Sequence, residues 1–247
     1  MRTLKTRGQS TRAARPTPKP ITFVVLRHHE RWPRGLGAAV LALVLAAAFY
    51  ASVARPWNQT WGATSAEVAR YIPGDSLVAD PQQVTTRAIT IRAEPSDIWP
   101  WLAQMGRGRG GLYSYDFLDR WFGVLDQPSA DTVLPAFQRL QAGDTIRVGG
   151  SAGWPVEIAQ PDRLLLIHVR ESGVHVTWAF VLDPVARGET RLVMRVRARL
   201  PWHFSTAFIL AALDPAEFLM MRRQLLGIRE RSERLAASRG GPAPRFP

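Results

Sequence analysis

VHVTWAFVLDPVARGETRLVMRVRARL, running from Val174 to Leu200, decides the fold. In its first half Val174, Val176, Trp178, Phe180 and Leu182 fall at every second position. In its second half Leu192, Met194, Val196, Ala198 and Leu200 do the same. A period of two places each set on one face of a β-strand. The intervening Asp183-Pro184 and Arg187-Gly188 supply turn residues, so the stretch reads as a hairpin with one apolar face. The other face of the second strand carries Arg191, Arg195, Arg197 and Arg199. This row is expected to be a solvated outer face, with an anionic partner as the sharper alternative.

Upstream, Leu164–Arg170 reads as a third strand joined to the hairpin through Glu171-Ser-Gly173, and Val84–Arg92 reads as the first strand of the domain. Strand character also returns at Thr145–Val148, after a loop-like stretch over 126–145. Between them, Ser96 is placed to cap a helix over Asp97–Met105 that presents Ile98, Trp101, Leu102 and Met105, and a second short helix is expected near Tyr115–Phe122. Downstream, Asp214-Pro215-Ala-Glu217 supplies a cap, a first-turn proline and an acid. Phe218, Met221, Leu225, Ile228 and Leu235 then recur at helical spacing. An antiparallel sheet with one apolar face and a long terminal helix to cover it is an α+β layout.

The 247-residue chain has no cysteine, which excludes a disulfide scaffold, a thiolate metal site and a thiol nucleophile. Its net charge of +12 is unevenly spread. Residues 1–34 hold nine Lys/Arg against one acid, and residues 55–247 hold 23 against 19. Between them GLGAAVLALVLAAAFYASVA, residues 35–54, carries no charge. Twenty helical residues span about 30 Å, the thickness of a hydrocarbon core. Eight Leu, Val and Phe side chains make insertion favourable by about 2.5–5 kcal/mol. A cleaved signal segment is the competing reading; its basic region would be 34 residues long and its apolar run longer than usual. A retained transmembrane helix fits better, with Trp32, Tyr50 and Trp57 as interfacial anchors. Five Lys/Arg in residues 15–34 against two in 55–74 place the N-terminus in the cytoplasm and the soluble domain outside. The basic tail (Arg12, Arg15, Lys19, Arg27, Arg31 and Arg34 among others) is suited to anionic lipid headgroups. It has no nucleic-acid-binding fold and no aromatics interleaved before Trp32, so lipid rather than nucleic acid is the expected partner. The organisation is a basic tail (1–34), a transmembrane helix (35–54), a linker with a short helix capped by Thr64 and Glu67 (55–83), a folded domain (84–237) and a C-terminal tail (238–247).

Trp61-Gly-Ala-Thr64, Pro73-Gly-Asp75, Trp99-Pro-Trp101-Leu, Gln104-Met-Gly106, Gly108-Arg-Gly-Gly-Leu-Tyr-Ser-Tyr-Asp116, Thr177-Trp-Ala-Phe180 and Leu225-Leu-Gly-Ile228, in that order, resemble a bacterial, membrane-anchored branch of the START-like, polyketide cyclase-like superfamily. The resemblance covers about Trp61 to Ala236. It implies a helix-grip fold, in which a curved antiparallel sheet wraps a long C-terminal helix around an apolar cavity. It implies binding of a hydrophobic small molecule as the commonest activity and brings no defining catalytic residues.

Trp101, Tyr113, Tyr115, Trp178, Phe180, Met194, Phe218 and Met221 are the candidates for the cavity lining; an ordinary packed core accounts for the same residues. Gly106, Gly108 and Gly111 match G-x-G-x-x-G, but a helix rather than a strand precedes them, so a tight connection is expected and a nucleotide is not. Arg107 and Arg109 in this loop are either solvated or set to meet a carboxylate or phosphate. His168 and His175 flank one hairpin without a third ligand at a recognisable spacing, so neither a metal nor another cofactor is expected. The leading functional reading is an anchored domain that binds a lipid or polyketide-like molecule. One alternative is a cyclase or dehydratase in the same cavity, for which Asp116 and His168 are the only candidate acid–base groups. The other is a non-enzymatic module that binds anionic membrane through its tail and arginine face.

Overall fold

The computed structural model describes residues 34–150, 153–201 and 204–240. The chain divides into two compact units, Met1–Val44 and Leu45–Pro247. Of the basic tail only Arg34 lies among the described residues, so the expected headgroup contacts fall outside them. Helix α1 (Arg34–Phe49) passes through a π-helical turn at Tyr50–Ala54 into α2 (Arg55–Gln59). The 25 residues Gly35–Gln59 form one helix of mean hydropathy 2.3, with none of its most apolar stretch buried. It is long and apolar enough to cross a membrane, and an N-terminal signal sequence would meet the same test.

In the second unit, α3 (Ser65–Ala69) starts with the expected capping box. The Glu67 carboxylate accepts from Thr64 N–H at 2.6 Å and the Thr64 hydroxyl accepts from Glu67 N–H at 3.2 Å. Six antiparallel strands follow: β1 (Gln83–Ile91), β2 (Thr145–Ile146), β3 (Trp154–Gln160), β4 (Leu164–Glu171), β5 (Val174–Ala186) and β6 (Glu189–Arg199). Their order across the sheet is β1-β6-β5-β4-β3-β2. Irregular registers at Val156/Ile158 and Pro184/Ala186 curve the strands. Helices α4 (Pro95–Ala103) and α5 (Asp116–Trp121) fill the crossover after β1, and α6 (Phe204–Gly240) ends the fold. This is the α+β helix-grip architecture.

Cross-strand pairs fix which side is inside. Phe180 lies opposite both Leu165 and Met194, and Trp178 opposite Ile167 and Val196. With Ile91, Ile98, Leu102, Met105, Leu225 and Ile228 they form the main core between the sheet and α4/α6.

Several local expectations are corrected. The Thr145 strand is two residues long, and β3 is an additional strand in which Trp154, Val156 and Ile158 alternate with exposed Pro155 and Glu157; a proline within so short a run argues against a strand when read from sequence. Helix α4 begins at Pro95, whose fixed φ suits a first-turn position, so Ser96 lies inside the helix instead of capping it. Helix α6 starts ten residues before Asp214 and runs through Pro215. Asp214 serves as a buried acceptor: the Tyr50 hydroxyl donates to it at 2.5 Å and the Gln83 amide at 3.3 Å, with Arg55 at 3.7 Å.

The arginine row is not a wet face. Residues 64–78 lie across it, and Ile72, Ala88, Leu166, Ala179 and Val193 form a second small core there. Arg195 is 3% exposed. Its guanidinium donates to the carbonyls of Glu67, Val68 and Arg70, to Thr86 Oγ1 and to the Asp75 carboxylate. Arg191 pairs with Glu67 at 2.7 Å, and Arg197 bonds the Val78 carbonyl. Arg199 alone of the four is exposed.

Candidate functional site

The glycine-rich loop builds one wall of the grip. Gly106 and Gly111 pair as an isolated bridge, both at positive φ, which turns the chain back within six residues. Tyr113 follows in the left-handed region (φ 62°). Its hydroxyl donates to the Trp101 carbonyl at 3.0 Å and the Arg231 guanidinium lies 4.9 Å above its ring. Burial pushes this phenol pKa up. Gly227 on α6 presses on the Tyr113 carbonyl, an approach that any Cβ would prevent. The loop is thereby pinned to α6, and the chain enters α5 with Ser114 and Asp119 turned inward. Arg107 and Arg109 belong to the same scaffold. Arg107 bonds the Gly123 and Gly149 carbonyls, while Arg109 bonds the Ala103 carbonyl and stacks 4.5 Å over Phe137.

Between this wall, the sheet and residues 216–224 of α6 lies a cavity of ≈ 390 Å³. Leu112, Phe122, Val124, Val148, Trp154, Trp178, Met220 and Met221 make its surface almost wholly apolar. The volume is in the range of small-molecule sites. A cleft of ≈ 430 Å³ elsewhere, whose lining mixes Arg70, Asp162, Arg163 and Asp183 with apolar side chains such as Ile72 and Leu164, lies outside the grip.

Two carboxylates border the apolar cavity. Asp119 is 2% exposed and accepts a hydrogen bond from the Ser114 hydroxyl. Burial pushes its carboxyl pKa up, the Ser114 bond opposes this, and the Asp116 charge adds to it. Glu217 on α6 receives both terminal nitrogens of Arg87, at 2.7 and 2.6 Å. Arg87 Nε donates to the Asn58 carbonyl at 2.8 Å, which ties β1, α6 and the end of the apolar helix together. Beside them Phe218 packs edge-on against Trp57 and Trp61, at centroid distances of 5.4 and 6.4 Å.

Of the eight proposed lining residues, Trp178 and Met221 border the cavity. Trp101, Tyr113, Phe180 and Met194 lie in the packed core, Phe218 packs against the Trp57/Trp61 pair, and Tyr115 is half-buried at the start of α5. Asp116 accepts from Ser129 at 2.7 Å and does not line the cavity. His168 lies opposite Thr177, one position out of phase with the inward Ile167/Trp178 pair. It therefore points away from the cavity, 3.6 Å from Glu157. His175 lies opposite Arg170 and Arg199, so the two histidines are not cross-strand partners. Among the described residues no group of three His, Asp or Glu is placed to hold a metal ion. Asp119 and Glu217 were not singled out from the sequence. Asp119 stands three residues from the equally acidic Asp116 on a short helix, and only the fold decides which turns inward.

The fold and cavity define an α+β helix-grip domain with room for a small molecule. No family model and no curated protein matches the chain. Among solved structures it is similar to the Zhui aromatase/cyclase from Streptomyces sp. R1128, at 14% identity and a TM-score of 0.40, over 65% of this chain and 99% of that one. It is also similar to TTHA0849 from Thermus thermophilus (14%, TM-score 0.37, covering 63% and 99%) and to CalU16 from Micromonospora echinospora (17%, TM-score 0.30, covering 62% and 86%). Likenesses at these identities and scores assign no activity to the chain.

Proposed function

We propose that this is a single-pass membrane-anchored helix-grip domain that binds a hydrophobic small molecule, lipid or polyketide-like, in the cavity between sheet, α5 and α6. The observation that carries the reading is the ≈ 390 Å³ space with an almost entirely apolar lining. Burying a ligand's apolar surface there gains about 25 cal/mol per Å². The anchor rests on the helix Gly35–Gln59 and on the uneven flanking charge, which directs the domain away from the cytoplasm. The basic tail then adds contact with anionic lipid on the cytoplasmic side. Native mass spectrometry of the full chain, released from detergent, tests the binding reading. A co-purifying hydrophobic species is expected; a chain that stays at its bare mass after exposure to a lipid extract overturns it.

A second reading, a cyclase or dehydratase in the same cavity, is favoured by Asp119. A buried carboxyl held towards its protonated form by burial beside an apolar space is the kind of group that serves as a general acid or base. Turnover by the native chain that is lost in Asp119→Asn, with ligand binding retained, separates this reading from simple binding.

A further inference from the structure

Helix α5 has an outer face as unusual as its inner one. Phe117, Trp121 and Phe122 are 60, 79 and 72% exposed, and the last two rings stack at a centroid distance of 6.0 Å. Arg120 is exposed between them. Phe122 also lines the cavity, so the apolar patch and the cavity wall are continuous. Across the cavity, α6 supplies the opposite wall from Ala216 to Gln224. The same part of α6 holds the end of the apolar helix: Asp214 accepts from Tyr50, Glu217 pairs with Arg87 on the Asn58 carbonyl, and Phe218 packs on Trp57. The C-terminal end of the apolar helix is thus held against the same stretch of α6 that begins the cavity wall.

We infer that the α5 aromatics are a membrane-docking surface, seated in the interfacial layer of the bilayer in which the chain is anchored, so that the cavity loads from lipid rather than from water. The inference rests on the anchored, ligand-binding reading above. Tryptophan and phenylalanine exposed together are costly in water and favoured at the boundary of headgroups and acyl chains, and an adjacent arginine complements anionic headgroups. The cavity's apolar lining matches cargo that is already dissolved in the bilayer. The chemical class implied is a lipophilic molecule delivered by membrane partitioning.

The absence of cysteine makes a site-specific test direct. The full chain is reconstituted into phosphatidylcholine vesicles containing phosphatidylglycerol, with a nitroxide on Phe117→Cys, and collisions with oxygen and with a water-soluble nickel chelate are compared. Val44→Cys reports whether the apolar helix is inserted, and Val185→Cys, 57% exposed near the end of β5, reports an aqueous surface. Loss of most chelate collisions at position 117 but not at 185 is expected, with recovery when Trp121→Ser is added. Equal access at 117 and 185 with an inserted label at 44 overturns docking and leaves the anchor standing. An aqueous label at 44 overturns both. Protection at 117 that comes with spin–spin broadening, and disappears on dilution with unlabelled chain, assigns the patch to a second copy and overturns docking.

Discussion

Arg87 on β1 and Glu217 on α6 meet in a two-pronged ion pair, with the guanidinium wholly buried and the carboxylate at the rim of the cavity. Arg87 lies opposite Met194 in the sheet, on the inner face that it shares with Ile89 and Ile91 of the main core. Its remaining Nε bond to the Asn58 carbonyl and its stacking 5.5 Å from the Phe218 ring make it the common contact of sheet, terminal helix and the end of the Gly35–Gln59 helix. Removing one partner of a buried pair strands a charge. Glu217→Ala is therefore expected to cost about 3–5 kcal/mol, and the double replacement Arg87→Met/Glu217→Met much less. Urea unfolding of the chain in detergent checks both; equal losses would show that the pair is not coupled.

Gly227 lets α6 close on the Tyr113 carbonyl, and this contact holds the glycine-rich loop in place. Gly227→Ala replaces a poor helix former with the best one and would stabilise an exposed helix. Here the added methyl meets backbone, so a net loss of about 1–3 kcal/mol is expected, measured as a lower urea midpoint. A gain would mean that α6 and the loop are not in contact in solution.

How much of this was legible in the sequence depends on where each residue finds its partner. The β5/β6 hairpin and its inward Trp178, Phe180, Leu192 and Met194 follow from a local period of two and needed no distant information. The burial of Arg195 was hidden because its acceptors are main-chain carbonyls more than a hundred residues away. The row itself looks like a solvated stripe, although Val193, between Arg191 and Arg195, already marks an apolar position on that side. Asp214 reads as a helix cap for the same reason: its true partners, Tyr50 and Gln83, are remote in the chain. The candidate cavity residues are large aromatic or sulfur-bearing side chains at inward positions of the sequence pattern. That description cannot separate Trp178, beside empty space, from Phe180 in the packed core one step along the strand.

Glu67 joins the segment over the outer face to the sheet through Arg191, and that ion pair, aided by the Thr64 capping bonds, lowers its pKa from 4.5 to about 2. A carboxyl whose folded pKa lies below its unfolded value contributes stability that is present above pH 4.5 and is lost as pH falls towards 2. Glu67→Gln is expected to remove that part of the acid sensitivity. Thermal melts between these pH limits should show a shallower decline for the variant than for the native chain; parallel declines would exclude Glu67 as a contributor.

Ala216 is exposed on α6 and borders the cavity. Ala216→Trp puts a large ring at the opening without disturbing the packed core, and the helix tolerates the change at a cost of less than about 1 kcal/mol. Loss of any co-purifying ligand with an unchanged melting temperature in its absence is expected. Undiminished ligand binding in this variant would place the binding site elsewhere.

Asp119 sits at 2% exposure with its carboxyl pKa raised above the ordinary 3.8, chiefly by burial. Because the folded group holds its proton to higher pH than the unfolded one, the native chain carries no penalty below pH 3.8 and loses stability as pH rises through the folded range. Asp119→Asn keeps the shape and an acceptor for the Ser114 hydroxyl but cannot ionise. The variant is expected to match the native chain at low pH and to exceed it at neutral pH, read from melting temperatures across the range. A ligand that fills the cavity displaces water from the carboxyl and raises its pKa further, so binding by the native chain should take up protons where binding by the variant does not. Calorimetry in buffers of different ionisation enthalpy measures this directly. Identical proton uptake in the two chains would show that Asp119 does not face the bound ligand, and with it would fall the acid–base reading of the cavity.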